Sequence, residues 1–429
     1  MRFGKLVGAS LVLACVGCAQ DLPPEVLLLA RIKTHMREEL AHLPNYTCLE
    51  TIARYHKAAG HPSPSQGDLR PLDTVRLEIV YSNREEWYGS PGDRSLSTRN
   101  PLEFIGSGMI GNGVFALTLS NILEGATFTY RGEDASSGRT TVRYDFHLPR
   151  LLKGLEISIA GGVGTVGEEG TLWADPQSLD LVRLEARAED IPPFLPLVEA
   201  STKVSYARMR IGVHDVLLAQ QGELHMLETS GVESYDDLEF THCRAFSARS
   251  AISFGEEPTE PSKASPPDQP TGKAVPAFLP VTVQLTTPIT DKDAVGALIE
   301  GKVSGDVVHK GKIVIPNGSV VRGRIRRLER WQGTGSWDFI VGLEFTEVEV
   351  NGGPLRFYAD LLRIDRNPGI RPTLSERVPV RDGRGGVRTG QETITLPELP
   401  GVASFFVSGT TFTIPSGFRM VWRTRGLIR

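Results

Sequence analysis

From Val75 onward the chain alternates: Val75, Leu77, Ile79 and Tyr81 share one side of an extended segment, and Arg76 and Glu78 share the other. A period of two is that of a half-buried β-strand. It returns at Val142, Tyr144 and Phe146, at Leu155, Ile157 and Ile159, and less cleanly over 171–175, 204–211, 224–227 and 238–246. Polar turns such as Asp175-Pro176-Gln177 and Thr229-Ser230-Gly231 separate these segments, so neighbours should pair as antiparallel hairpins in a meander. Two stretches keep a helical period instead. Val26, Leu29, Ile32, Met36, Leu40 and Leu43 form one greasy stripe, with Asp21 as cap, Pro23-Pro24 as start and Pro44 as stop. Gly113 to Leu123 reads as a second, shorter helix. An antiparallel sheet with one apolar face needs a cover, and these two helices are the local candidates.

The text then changes. Residues 255–276 hold six prolines and no aromatic residue, the composition of an extended, semi-stiff linker. This predicts a first domain over 20–254, a linker over 255–277 and a second domain over 278–429. The second domain resumes the alternation at Val281, Val283 and Leu285 and at Val341, Leu343 and Phe345. It carries an internal echo, Ile315-Pro316-Asn317-Gly318 and Ile414-Pro415-Ser416-Gly417, in which Pro presets a turn and Gly tolerates its left-handed exit. Residues 368–393 are rich in Arg and Gly without a hydrophobic period, and a long loop is expected there.

The first residues have another purpose. Arg2 and Lys5 precede an apolar run from Leu6 to Val16 and the small-residue stretch Gly17-Cys18-Ala19, the layout of a secretion signal over 1–19, too short for a membrane anchor. Cleavage after Ala19 would release a periplasmic or extracellular protein. Lipid modification of Cys18, suited by Val16-Gly17 but not by Cys15 three positions before it, would tether the chain to a membrane. The apparent Cys15-to-Cys18 redox motif falls inside this signal. Removing it leaves Cys48 and Cys243, for which a disulfide is the simplest outcome in an oxidising compartment, two separate buried thiols being the alternative.

Composition narrows the function. A net charge of −4 with 23% charged residues lacks the basic excess expected of a nucleic-acid partner. Gly106 to Gly111 and Gly162 to Gly167 both fit a dinucleotide fingerprint, but antiparallel patterns surround the first and the second reads as a hairpin turn, so no cofactor is expected. No GxSxG, HExxH or clustered metal-ligand spacing occurs, which leaves no catalytic or metal residue to name. The acidic doublets Glu85-Glu86, Glu168-Glu169 and Asp236-Asp237 fall in or beside expected turns, where carboxylates are usually solvated. Arg322, Arg324 and Arg326 alternate along one strand and form a candidate anion- or partner-binding face, unless Glu329, Glu344, Glu347 and Glu349 balance it.

Trp173 lies in the hairpin Gly170 to Pro176, which returns through Leu179 to Glu185. That hairpin, after an N-terminal amphipathic helix and among antiparallel strands, makes residues 25–250 similar to the periplasmic lipoprotein-carrier or outer-membrane lipoprotein-sorting fold. The resemblance implies a mainly β half-barrel with one long and one short helix as lid over a concave face that holds acyl chains. Leu77, Ile79, Tyr81, Tyr144, Phe146 and Trp173 are then the candidate lining, although Trp173 on its strand reads first as a core residue. Residues 279–364 resemble the C-terminal β-barrel of the conjugation and type IV secretion channel scaffold through the turn and strand Ile315 to Gly323, so a small second β-barrel or sandwich is expected. The resulting expectation is a non-catalytic envelope protein with lipid or a lipoprotein in its first domain and an envelope partner on its second. A solidly packed scaffold protein is the alternative, and an extracellular hydrolase the third.

Overall fold

A computed structural model describes residues 22–57, 70–82, 85–92, 115–135, 139–159, 162–245, 274–332, 337–365, 367, 369–372, 374–381, 387–394 and 401–426. The signal segment, Asp21, the Gly106 to Gly111 motif and residues 255–273 of the Pro-rich stretch lie outside them.

The chain is mainly β. Its first part runs α1 (Pro24–Ala41), β1 (Tyr46–Lys57), β2 (Arg70–Ser82), β3 (Glu85–Gly89), α2 (Phe115–Gly125), β4 (Thr127–Asp134), β5 (Thr141–Leu148), α3 (Arg150–Lys153), β6 (Leu155–Ile159), β7 (Gly162–Ala174), β8 (Leu181–Glu189), β9 (Leu197–Ile211), β10 (His214–Glu228) and β11 (Glu233–Ala245). Its strands form one curled antiparallel sheet in the order β3-β2-β1-β11-β10-β9-β8-β7-β5-β4, with β6 on β7. The meander expected from the alternation is thus closed back by β11 pairing with β1. Cys48 on β1 and Cys243 on β11 form a disulfide across that closure.

The second part runs β12 (Pro280–Leu285), β13 (Ile289–Thr290), β14 (Leu298–Val303), β15 (Val307–His309), β16 (Lys312–Ile315), β17 (Val320–Gln332), β18 (Trp337–Val350), β19 (Gly353–Arg356), β20 (Ala359–Ile364), β21 (Ile370–Arg371), β22 (Leu374–Arg381), β23 (Val387–Ile394), β24 (Ala403–Ser408), β25 (Thr413–Ile414) and β26 (Arg419–Thr424). Its main sheet follows the order β20-β26-β12-β14-β17-β18-β24-β21, with β19 on β18. The two echoing turns are built alike. Gly318 and Gly417 have φ of +81° and +89°, and each N–H donates to the end of a neighbouring strand, at Val303 and Leu285. The region expected as a long loop instead contains the hairpin β22–β23. Its Arg- and Thr-rich strands pair through the backbone, which needs no hydrophobic period. Gly162 to Gly167, expected as a turn, is the opening of β7.

The two sheets are joined. Beyond the end of β3, the edge of β2 pairs with a turn of the second part: Arg76 N–H donates to Val295 O at 2.9 Å, and Val295 N–H to Thr74 O at 2.8 Å. Gly296 makes this approach possible, because its φ is +93° and a Cβ there would stand 2.5 Å from Arg76 O. Arg324 seals the junction by donating to the carbonyls of Pro91 (2.9 Å) and Gly296 (2.8 Å). Behind it, Ile52, Val75, Leu77, Leu238 and Phe240 share one continuous core with Val281, Val283, Phe345 and Trp422. Each such side chain contributes about 1.5–3 kcal/mol when fully buried.

Candidate functional site

Alternation gives the curled sheet an apolar inner face, and the two longer helices lie on one half of it. Ile32 and Met36 of α1 and Leu119, Ile122 and Leu123 of α2 pack on Val142, Tyr144, Phe146, Leu172 and Leu184. Polar anchors then fix α1. Tyr144 Oη donates to the Glu25 carbonyl at 2.7 Å. Arg208 donates to Asp180 at 2.9 and 2.7 Å and to Glu39 at 3.1 Å, and His35 Nε2 lies 2.9 Å from Asp180. Burial disfavours the Asp180 carboxylate, but hydrogen bonds from Arg208 and His35 outweigh it and hold the group below the usual carboxylate range. Asp180→Ala should therefore loosen α1, speeding amide hydrogen exchange across 24–41 by about tenfold, a change of about 1.4 kcal/mol. Unchanged exchange would show that apolar packing alone holds the helix.

Between the second half of α1, α2 and the sheet remains a cavity of about 40 Å³, walled by Met36, Leu40, Leu119, Leu217 and Phe240. It has room for a water or two, far below the several hundred Å³ of a pocket that encloses a drug-sized ligand. Four of its wall residues carry a carboxyl or hydroxyl: Glu39, Tyr46, Glu86 and Tyr206. Glu86 accepts a hydrogen bond from Tyr88 Oη at 2.9 Å, yet burial pushes its carboxyl up to about 8. The Tyr206 hydroxyl is buried without a hydrogen-bond partner. Beside the cavity, Glu50 is wholly buried with both carboxyl oxygens unpartnered. Burial first, and then the charges of Glu86 and Asp236, drive it well above its ordinary value.

The candidate lining residues separate into three groups. Tyr144 and Phe146 lie under the helices, and Ile79 bounds the cavity. Leu77 faces the core shared with the second sheet, while Tyr81 stacks on Tyr46 with ring centroids 5.3 Å apart. Trp173 does not join them. Its neighbours Leu172 and Ala174 take the inward positions, so Trp173 points to the outer face, where its Nε1 donates to Asp134 at 3.1 Å and Arg183 lies over its ring.

The arginine strand is balanced by acids. Arg322 meets Glu300, Glu347 and Glu349, Arg326 meets Glu344 at 2.6 Å, and Arg324 is spent on the junction. The doublets expected to be solvated each bury one member, Glu86, Glu168 and Asp236, since adjacent residues on a strand face opposite ways. Sequence reading missed β1 altogether. It alternates through Tyr46, Cys48, Glu50, Ile52 and Arg54, and the two charged members interrupt the apolar pattern. Arg54 is buried in a two-point ion pair with Asp73, both bonds 2.6 Å. Among the described residues no group of His, Cys, Asp and Glu is placed to hold a metal.

No protein-family model and no curated protein matches the chain. Solved structures similar to about half of it include an outer membrane lipoprotein-sorting protein domain from Vibrio parahaemolyticus, with TM-score 0.30 and 10% identity over 52% of this chain and 93% of that one. A DUF1329 family protein from Desulfovibrio piger gives TM-score 0.28 and 10% identity over 54% and 96%. A LolA superfamily protein from Nitrosomonas europaea gives 0.25 and 12% over 50% and 94%. At such scores likeness of shape carries no function, and the reading below rests on the side chains.

Proposed function

We propose that the chain is a non-catalytic envelope protein that holds the apolar chain of a lipid or lipoprotein between the inner face of its first sheet and α1 with α2. The observation that carries this reading is the construction of the cover. Half of the inner face is closed by two helices that take no part in the sheet's backbone pairing and rest on side chains and a few polar anchors around Asp180. Such a cover can lift without breaking a sheet, and the small cavity beneath it is then the closed state of a larger one. The disulfide supports residence in an oxidising compartment. The second sheet, packed on the other half of the same face, serves as a fixed back wall, and its outer surface is the place for a partner to dock.

A second reading is favoured by that same packing. With Leu77, Ile52 and Phe240 locked into the core of the second sheet, the molecule could be a scaffold that binds only proteins. Native mass spectrometry of protein purified from its own envelope, with uptake of a fluorescent fatty alcohol by the delipidated chain, separates the two. The carrier reading expects a co-purifying lipid mass or saturable uptake near one per chain. Neither mass nor uptake is the scaffold's result.

A further inference from the structure

The cavity beneath α1 combines apolar walls with an excess of acid. Glu39 and Glu86 line it, and among its described lining residues there is no Lys, Arg or His. Glu39 is already matched by Arg208, whereas Glu86 accepts from the neutral Tyr88 hydroxyl. Glu50 adds a second acid to the same inner face, close enough to Glu86 for their charges to interact. Its strand neighbour Cys48 and its cross-strand neighbour Phe240 both line the cavity. One observation independent of this acidic cluster points to a guest: the Tyr206 hydroxyl in the cavity wall is buried without a hydrogen-bond partner, as within the cluster are both Glu50 oxygens. Buried polar atoms left unpaired cost about 1–3 kcal/mol each, so a guest that satisfied them would be held for that reason.

We propose that this cavity is the head-group subsite for a single-chain amphiphile bearing a protonated amine, with Glu86 as counter-ion, the Tyr206 hydroxyl as hydrogen-bond partner and the chain running under α1. The inference rests on the carrier reading above and adds the class of guest. A carboxylate head would find no cation among the cavity's described lining residues. An alcohol could use Tyr206 but leave Glu86 unmatched. An ammonium satisfies both. Near neutral pH the empty site holds Glu86 protonated, so when the ammonium arrives the Glu86 O–H proton leaves to solvent and the carboxylate and ammonium pair as ions. No covalent bond other than that O–H changes.

Calorimetric titration of the full chain with dodecylamine, dodecanol and dodecanoate, each below its micelle concentration, tests this at pH 7 in two buffers of different ionisation enthalpy. The expected result is dodecylamine at least tenfold tighter than dodecanoate, with about one proton released per amine bound. Glu86→Gln should reduce that preference to under threefold and abolish the release. Tyr206→Phe should weaken amine and alcohol alike. Dodecanoate binding as tightly as the amine, or proton release that persists in Glu86→Gln, would overturn the head-group assignment and leave the carrier reading standing. Failure of all three ligands to bind the wild-type chain would overturn both. The wild-type comparison needs no variant to fold.

Discussion

Thermal unfolding measured from pH 5 to pH 9 should give a stability that falls as the pH rises to about 8 and then levels off, the reverse of what paired surface carboxylates produce. Burial raises Glu86 from 4.5 to about 8. Between those values the folded chain holds a proton that the unfolded chain has released, so stability is fully present below pH 4.5 and is lost through pH 8. At about 1.4 kcal/mol per unit, the loss is about 5 kcal/mol from this one residue. Glu168, buried on the inner face and pushed up to about 7 by the same desolvation, acts in the same direction. Asp175 and Asp180 act oppositely. Burial works against their ionisation, but backbone N–H and arginine hydrogen bonds at Asp175, and Arg208 and His35 at Asp180, hold both below the usual range. Their contribution is lost in acid, and the stability maximum is expected near pH 5. Glu86→Gln, nearly the same shape and unable to ionise, should remove most of the slope between pH 5 and pH 8. A wild-type profile that is flat or rises to pH 9 would contradict this assignment.

Reduction should be nearly as costly. Cys48 and Cys243 are 195 residues apart in sequence, and opening so long a loop in the unfolded chain is worth about 5 kcal/mol by the chain-entropy argument. Urea unfolding of the oxidised chain and of Cys48→Ala/Cys243→Ala should show the midpoint of the double variant clearly lower, with disulfide reduction shifting the wild type to match it. Coincident midpoints would mean that strand pairing between β1 and β11 already restrains the ends as well as the bond does.

The features legible in the sequence were those that local periodicity records. The stripe from Val26 to Leu40 gave α1, and Val75 to Tyr81 and Val142 to Phe146 gave β2 and β5 with the correct inward faces. The cysteine pair followed from counting once the signal segment was set aside. The acids of the cavity were not legible. A carboxylate beside another carboxylate looks solvated in one dimension, and only strand alternation sends Glu86 inward while Glu85 stays out. Glu50 and Arg54 hid β1 for a like reason, since Arg54 is buried against Asp73 and Glu50 near Glu86 and Asp236, all distant in sequence. Trp173 was placed by its company in the hairpin rather than by its parity, and parity decides. The β22–β23 hairpin was not legible because residues 368–393 show no hydrophobic period, and backbone pairing needs none.

The edge pairing of Val75 with Val295 has a consequence for synthesis. A free strand edge is a template for any other chain, and β2 keeps one open over residues 74–76 until the turn that covers it has been made. Val75 leaves the ribosome long before Val295 does. Throughout that interval β11 can pair with β1, yet the same three residues stay open to a stranger. An escort that shields β2 would be needed only for that interval, and the turn at Gly296 ends it.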